Sequence, residues 1–219
     1  ALPVYIGVLH RGGDGKDIRW FKGANLFCTH VMGAWCDGEK ITLDMDGGEA
    51  NQFPLFPQVH EPFDPVKAQG RVRRFTIDLT SKSNDTYQVE TLYPQVTGVL
   101  SRQDDRFHTL PYRWGYINAV GPNGGWAIFD HQEKSVQMVR VPDYSLNEMV
   151  FVPRKHDAPE GDGYLIGIGS SMKEAGRSDV ILVDTKDIAD GPVARVKMPI
   201  KVVGQMHGFW ADASQLPAV

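Results

Sequence analysis

Short apolar runs, punctuated by Gly, Pro and Asn/Asp, recur along the whole chain, and almost nowhere do apolar residues repeat at helical spacing. Val4 to Leu9 reads as a buried strand. Arg11-Gly12-Gly13-Asp14-Gly15-Lys16 reads as a hairpin turn, because the strand-like Ile18-Arg19-Trp20-Phe21 follows it where a phosphate-binding loop would open a helix. Asp37-Gly38 joins Phe27 to Trp35 with Lys40 to Met45, a strong two-residue hairpin signal. Alternation resumes at Arg71 to Leu79, with Arg73, Phe75, Ile77 and Leu79 on one face, and Tyr87 to Tyr93 reads as its partner. Arg71, Arg73 and Arg74 are expected on a solvated edge. Further strands are expected from Tyr112 to Tyr116, Trp126 to Asp130, Ser135 to Arg140, Glu148 to Pro153, Tyr164 to Ser170, Val180 to Asp184 and Ala194 to Met198. Gly167-Ile168-Gly169 lacks the third glycine and the following helix of a dinucleotide loop. Between Gly47 and Gln69 the prolines, in Phe53-Pro54-Leu55-Phe56-Pro57 and Phe63-Asp64-Pro65, exclude a helix interior.

The fold class is therefore all-β. With 219 residues in hairpin-linked strands, the chain suits a β-propeller at about 40–50 residues per blade, or four to five blades. An arc of blades exposes strand edges unless it closes, and a chain that starts at Ala1 and runs at once into a strand reads as the middle of a protein. A net charge of −4 argues against a nucleic-acid partner. No apolar run is long enough to span a bilayer, so no membrane partner is expected. Two cysteines, Cys28 and Cys36, are too few for a disulfide framework, which points to a reducing, cytoplasmic setting.

Two of the seven histidines stand apart. His30 sits in Phe27-Cys28-Thr29-His30-Val31-Met32-Gly33, and His207 follows the apolar Val202-Val203-Gly204-Gln205-Met206, ahead of Phe209 and Trp210, which are expected to exclude water. Each suits a metal ligand at a buried strand end, although a lone histidine is more often a core residue satisfied by a carbonyl. His10, His60, His108, His131 and His156 lie in turns or polar loops and read as exposed. Glu148, in Asn147-Glu148-Met149-Val150, could supply the carboxylate that a ligating imidazole needs to fix its tautomer, or be a surface glutamate.

Tyr5-Ile6-Gly7-Val8-Leu9-His10-Arg11, Asp17-Ile18-Arg19-Trp20-Phe21, His30 with Ala34 and Leu43-Asp44, and Pro62-Phe63-Asp64-Pro65 form a recognisable series. Glu148 to Arg154, Asp157 to Tyr164, Asp190 to Ala194 and His207-Gly208-Phe209-Trp210-Ala211-Asp212 continue it. Through these the chain resembles the carotenoid cleavage oxygenase superfamily in its lignostilbene dioxygenase branch, over about the C-terminal half of such an enzyme. The resemblance implies a seven-bladed propeller, of which residues 1–219 supply about the last four blades as the C-terminal part of one domain. It implies Fe(II) held on the axis by four histidines, with O2 splitting a carbon–carbon double bond into two carbonyl compounds. His30 and His207 would be the third and fourth ligands, and Glu148 would orient His207. The other two ligands and the phenol-gripping residues would lie in an N-terminal half. Four neutral imidazoles leave two cis positions of an octahedron open. Phe27 and Met206, near the two histidines, are candidate pocket-wall residues, or plain core.

One position departs from the pattern. Val99 stands where the resemblance places a second glutamate, and an apolar side chain cannot accept an imidazole N–H, so His30 would need a water, a carbonyl or a shifted acid such as Glu90. The expected substrate is a small 4-hydroxystyryl or stilbene-type alkene, cleaved to a vanillin-type aldehyde. A propeller with a decayed metal site, or the same cleavage on an apocarotenoid, are the alternatives. A homodimer is left open.

Overall fold

A computed structural model describes residues 3–53, 62–81, 85–122, 124–202, 204 and 206–217. His60 and most of Phe53-Pro54-Leu55-Phe56-Pro57 lie outside the described residues, as do Val203 and Gln205 of the run before His207. The described residues form strands β1 (Tyr5–Val8), β2 (Arg19–Lys22), β3 (Phe27–Asp37), β4 (Lys40–Gly48), β5 (Arg71–Asp78), β6 (Gln88–Thr91) and β7 (Gly98–Gln103). There follow β8 (Trp114–Ala119), β9 (Gly125–Asp130), β10 (Ser135–Val139), β11 (Tyr144–Pro153), β12 (Gly163–Ser171), β13 (Ser178–Asp184) and β14 (Pro192–Lys197). Helix among the described residues is confined to three-residue 3-10 turns, and none of these is long and apolar enough to cross a membrane. The all-β reading and the hairpin assignments hold.

Neighbouring strands pair in chain order, β1-β2, β3-β4-β5-β6, β10-β9-β8-β7 and β11-β12-β13-β14, with antiparallel ladders throughout the described registers. Strands adjacent in the chain lie side by side within each sheet, joined by as little as residues 38–39 between β3 and β4 and as much as residues 49–70 between β4 and β5. Gly38, at φ 57°, supplies the left-handed turn residue between β3 and β4. The chain divides into two compact units, residues 1–101 with 108–111, and residues 102–107 with 112–219.

In the first unit Phe21, Phe75, Ile77 and Tyr87 are buried, with Ile41, Leu43 and Met45 of β4 packed against them. The other face of β4 carries Thr42, Asp44 and Asp46, and these polar side chains are the more deeply buried ones. Buried carboxylates persist only when paired and hydrogen-bonded. Asp44 takes a two-pronged ion pair from Arg74, at 2.8 Å on each oxygen. Here the expected solvated arginine edge is corrected. β5 lies between β4 and β6 and is no sheet edge, and Arg73 is buried and donates to the Gly47 carbonyl and Thr91 Oγ1.

In the second unit the core joins Tyr116, Trp126, Ile128 and Val139 to Leu146, Met149, Phe151, Leu165, Ile181 and Val183. The Trp126 indole N–H donates to the Asn147 carbonyl at 2.7 Å. Arg154 ties Asp162, Asp184 and the Tyr164 hydroxyl together, with bonds of 2.6–2.8 Å. Three other expectations are corrected. His131 is only partly exposed, its ring meeting Tyr112 edge-on at 5.0 Å. The described residues from Val202 to Trp210 form no strand, because the sheet order ends at β14 and no ladder takes up the chain beyond it. Phe209 is 80% and Trp210 50% exposed, so neither shields His207 from water within this chain.

Two measurements check these contacts. A Cβ on Gly167 would stand 2.6 Å from both the Glu148 carbonyl oxygen and the Trp126 ring. Gly167→Ala is therefore expected to destabilise by about 1–3 kcal/mol, read as a lower Tm, whereas Gly15→Ala, which meets nothing within 4 Å, should leave Tm unchanged. The guanidinium of Arg154 holds Asp184 and Asp162 below the usual carboxylate range, as Arg177 holds Asp179 and Arg113 holds Asp130. A carboxyl whose pKa is lower in the folded state stabilises fully above its unfolded pKa near 4, and that contribution is lost as pH falls through the folded value. Tm should thus drop steeply below about pH 4, and Arg154→Met should make the drop shallower.

Candidate metal centre

Both candidate histidines are set by bulges. Along β3, Cys28 pairs with Gly47 and Val31 with Met45, so Thr29 and His30 together oppose the single residue Asp46. An extra residue in one strand re-aims the side chains beside it. Thr29 Oγ1 accordingly donates to Asp46 Oδ1, and His30 Nδ1 lies 3.3 Å from Asp46 Oδ2. The Ser101 backbone N–H donates to that same oxygen at 2.9 Å, and the Ser101 hydroxyl donates to the His30 carbonyl at 3.2 Å. The Leu100 N–H also approaches His30 Nδ1, at 3.3 Å. Asp46 is fully buried, and the His30 side chain is 24% exposed.

In β11 the register shifts between Leu146 and Met149, so Asn147 and Glu148 form a bulge. The Trp126 indole pins the Asn147 carbonyl, and Gly167 leaves room for the Glu148 carbonyl. The Glu148 carboxylate is buried. Its Oε2 accepts the Gly208 backbone N–H at 2.7 Å, and its Oε1 lies 3.4 Å from His207 Nδ1. Arg102 completes the group, donating to the Gly208 carbonyl at 2.6 Å with Nη1 3.6 Å from Glu148 Oε1. The segment that carries His207 is therefore held by a carboxylate and a guanidinium where no sheet ladder holds it.

The structure thus brings Glu148 to His207 in the second unit, and places His30 in the first. Glu90 is exposed on β6, separated from β3 by two strands, while Val99 is half-buried on β7. Phe27 is half-buried and meets Phe53 edge-on at 5.8 Å; Met206 is 62% exposed. Burial pushes the Cys28 thiol up to about 11, so it stays neutral beside this group. Asp46, Arg102 and Ser101 are the contributors that sequence reasoning missed. The available signal was the pair of acids at 44 and 46, spaced for one face of a strand that has neighbours on both sides.

Among the described residues no three His, Cys, Asp or Glu side chains cluster closely enough to hold a metal by themselves. The donor set nevertheless suits one. With its proton kept on Nδ1 by a carboxylate, an imidazole carries its lone pair on Nε2, the arrangement of histidine ligands generally. If Glu148 is what fastens the His207 segment, Glu148→Ala should speed hydrogen exchange at the Gly208 amide by an order of magnitude or more, as one buried charge-assisted hydrogen bond of about 1.5–3 kcal/mol is lost. An unchanged exchange rate would show the segment to be held elsewhere.

Residues 1–212 match the family described as retinal pigment epithelial membrane protein (RPE65). The chain is 36% identical to lignostilbene-α,β-dioxygenase isozyme III of Sphingomonas paucimobilis, over 99% of this chain and 48% of that protein. It is 38% identical to isoeugenol monooxygenase of Pseudomonas putida, over 94% of this chain and 46% of that one. The crystal structure of Pseudomonas brassicacearum lignostilbene dioxygenase superposes with a TM-score of 0.87 at 28% identity, covering 96% of this chain and 47% of that one. Cobalt-substituted Synechocystis ACO shares the fold, with a TM-score of 0.81 at 23% identity. The chain spans about half the length of the curated relatives it matches.

Proposed function

The chain belongs to the RPE65 family of carotenoid cleavage oxygenases, whose β-propeller fold it shares, and from that premise we propose that the protein carrying it is an Fe(II)-dependent dioxygenase. It cleaves the double bond of a 4-hydroxystyryl or stilbene-type phenylpropanoid. Residues 1–219 are on this reading the C-terminal part of one propeller domain, and an N-terminal half supplies the remaining ligands and the groups that grip the phenol. The reaction takes ArCH=CHR and O2 to ArCHO and RCHO. The carbon–carbon double bond breaks, each of its carbons gains one oxygen atom, and no proton is gained or lost overall.

The observation that carries this reading is the coupling of Glu148 to both the ring and the backbone of the His207 segment, in a chain similar to lignostilbene and isoeugenol oxygenases. Glu148 keeps the His207 proton on Nδ1, so that Nε2 serves as a neutral donor. His30 provides a second imidazole from the bulge in β3. When bound, iron(II) supplies the electrons that allow O2 to react with a closed-shell alkene. Imidazole donors suit that metal and, being neutral, add no negative charge beside it. Arg102 holds the Gly208 carbonyl and so fixes the turn that follows His207. Phe27, against Phe53, and Met206 contribute apolar wall to the substrate pocket, favouring a flat aromatic alkene over water.

The test is metal content and product together. The whole protein is expected to hold one iron and to convert isoeugenol to vanillin and acetaldehyde, consuming one O2 per alkene. His30→Ala and His207→Ala should each lose the iron and the product together. Wild-type protein that takes up no iron and forms no aldehyde from isoeugenol, 4-vinylguaiacol or a hydroxystilbene would overturn the reading.

A further inference from the structure

The glutamate expected behind His30 is replaced by Val99, and Glu90 is too far off in the sheet to stand in for it. A different acid already lies against the ring. Because Thr29 and His30 share one partner across the ladder, both side chains converge on Asp46 of β4. Asp46 is fully buried and is supplied with donors from two directions, Thr29 Oγ1 on Oδ1 and the Ser101 N–H on Oδ2. Ser101 has an N–H to give, which a proline at this point of the chain could not.

Two groups compete for His30 Nδ1, each at 3.3 Å. The Leu100 N–H would need a lone pair there, and the Asp46 carboxylate would need a proton. The two demands are unequal. A charge-assisted hydrogen bond is about twice as strong as a neutral one, and a buried carboxylate loses more than an amide when a donor is withheld. The carboxylate decides the tautomer, and Nδ1 carries the proton.

Resting on the oxygenase reading above, we propose that Asp46 is the positioning residue of His30. From β4 it fixes the ring and its Nδ1 proton, the task for which position 99 on β7 no longer has an acid. The carboxylate behind His30 on this account comes from β4, where the resemblance would place it on β7. Val99 is then no sign of a decayed centre.

The experiment measures Fe(II) affinity by chelator competition in the whole protein, for wild type, Asp46→Ala, Asp46→Asn and Asp46→Ala combined with Val99→Glu. Asp46→Ala is expected to weaken iron binding about 10–100-fold, and adding Val99→Glu should restore most of it. In metal-free wild type, nitrogen NMR of the His30 ring should show the Nδ1–H tautomer. A role confined to folding would not be repaired by a carboxylate on another strand, so loss without rescue overturns the proposal. So does wild-type affinity in Asp46→Ala, or an Nε2–H tautomer at His30; these leave the oxygenase reading standing. Should Asp46→Ala fail to melt cooperatively, the isosteric Asp46→Asn decides: a tenfold or greater loss supports the proposal and an unchanged affinity overturns it. Wild-type protein that binds no iron overturns both.

Discussion

A carboxylate taken out of water must be surrounded by donors, and in this chain that requirement shapes both candidate ligands. Asp46 and Glu148 are each buried, each draws in a backbone N–H, and each has a histidine Nδ1 within 3.4 Å. His30 is not positioned by its strand alone, and His207 lies in no strand. A regular ladder would send alternate side chains to opposite faces, and it is the bulges at Thr29-His30 and Asn147-Glu148 that break this alternation. The bulge in β11 in turn depends on ordinary packing: the Trp126 indole on the Asn147 carbonyl, and the missing Cβ of Gly167 beside the Glu148 carbonyl. Core and site are in this sense one structure.

Most of the strand order was legible because the connections are hairpins, and hairpin signals are local. Asp37-Gly38 announces the β3–β4 turn with no knowledge of the rest of the molecule. Burial was less legible, since it depends on what lies beside a strand. Arg73 and Arg74 read as a charged edge only until β6 is seen to pair with β5. The same blindness hid Asp46: its alternation with Met45 and Leu43 looks like a solvent face, yet the polar face of β4 is the deeper one. Glu148 stood out at the start of an apolar run, and the family resemblance tied it to His207. The residue that holds His30 was missed, because that resemblance points to position 99.

The segment after β14 shows what a sequence pattern cannot settle alone. Val202 to Trp210 has the composition of a buried strand, but composition names no partner, and in this chain the described residues make no ladder there. The chain is anchored at Val202, whose carbonyl and N–H both meet the Ser178 hydroxyl, and again at Gly208 by Glu148 and Arg102. Phe209 and Trp210 stay exposed between these ties and the end of the described residues.

Glu148 and Arg102 grip residue 208 by its amide hydrogen and its carbonyl oxygen. Such a grip is indifferent to side-chain identity, so for these two bonds proline is the one genetically encoded replacement debarred outright, since it has no hydrogen to offer. Drift in the aromatic residues next door would leave the latch intact, whereas a change at either charged residue would release it whatever they became.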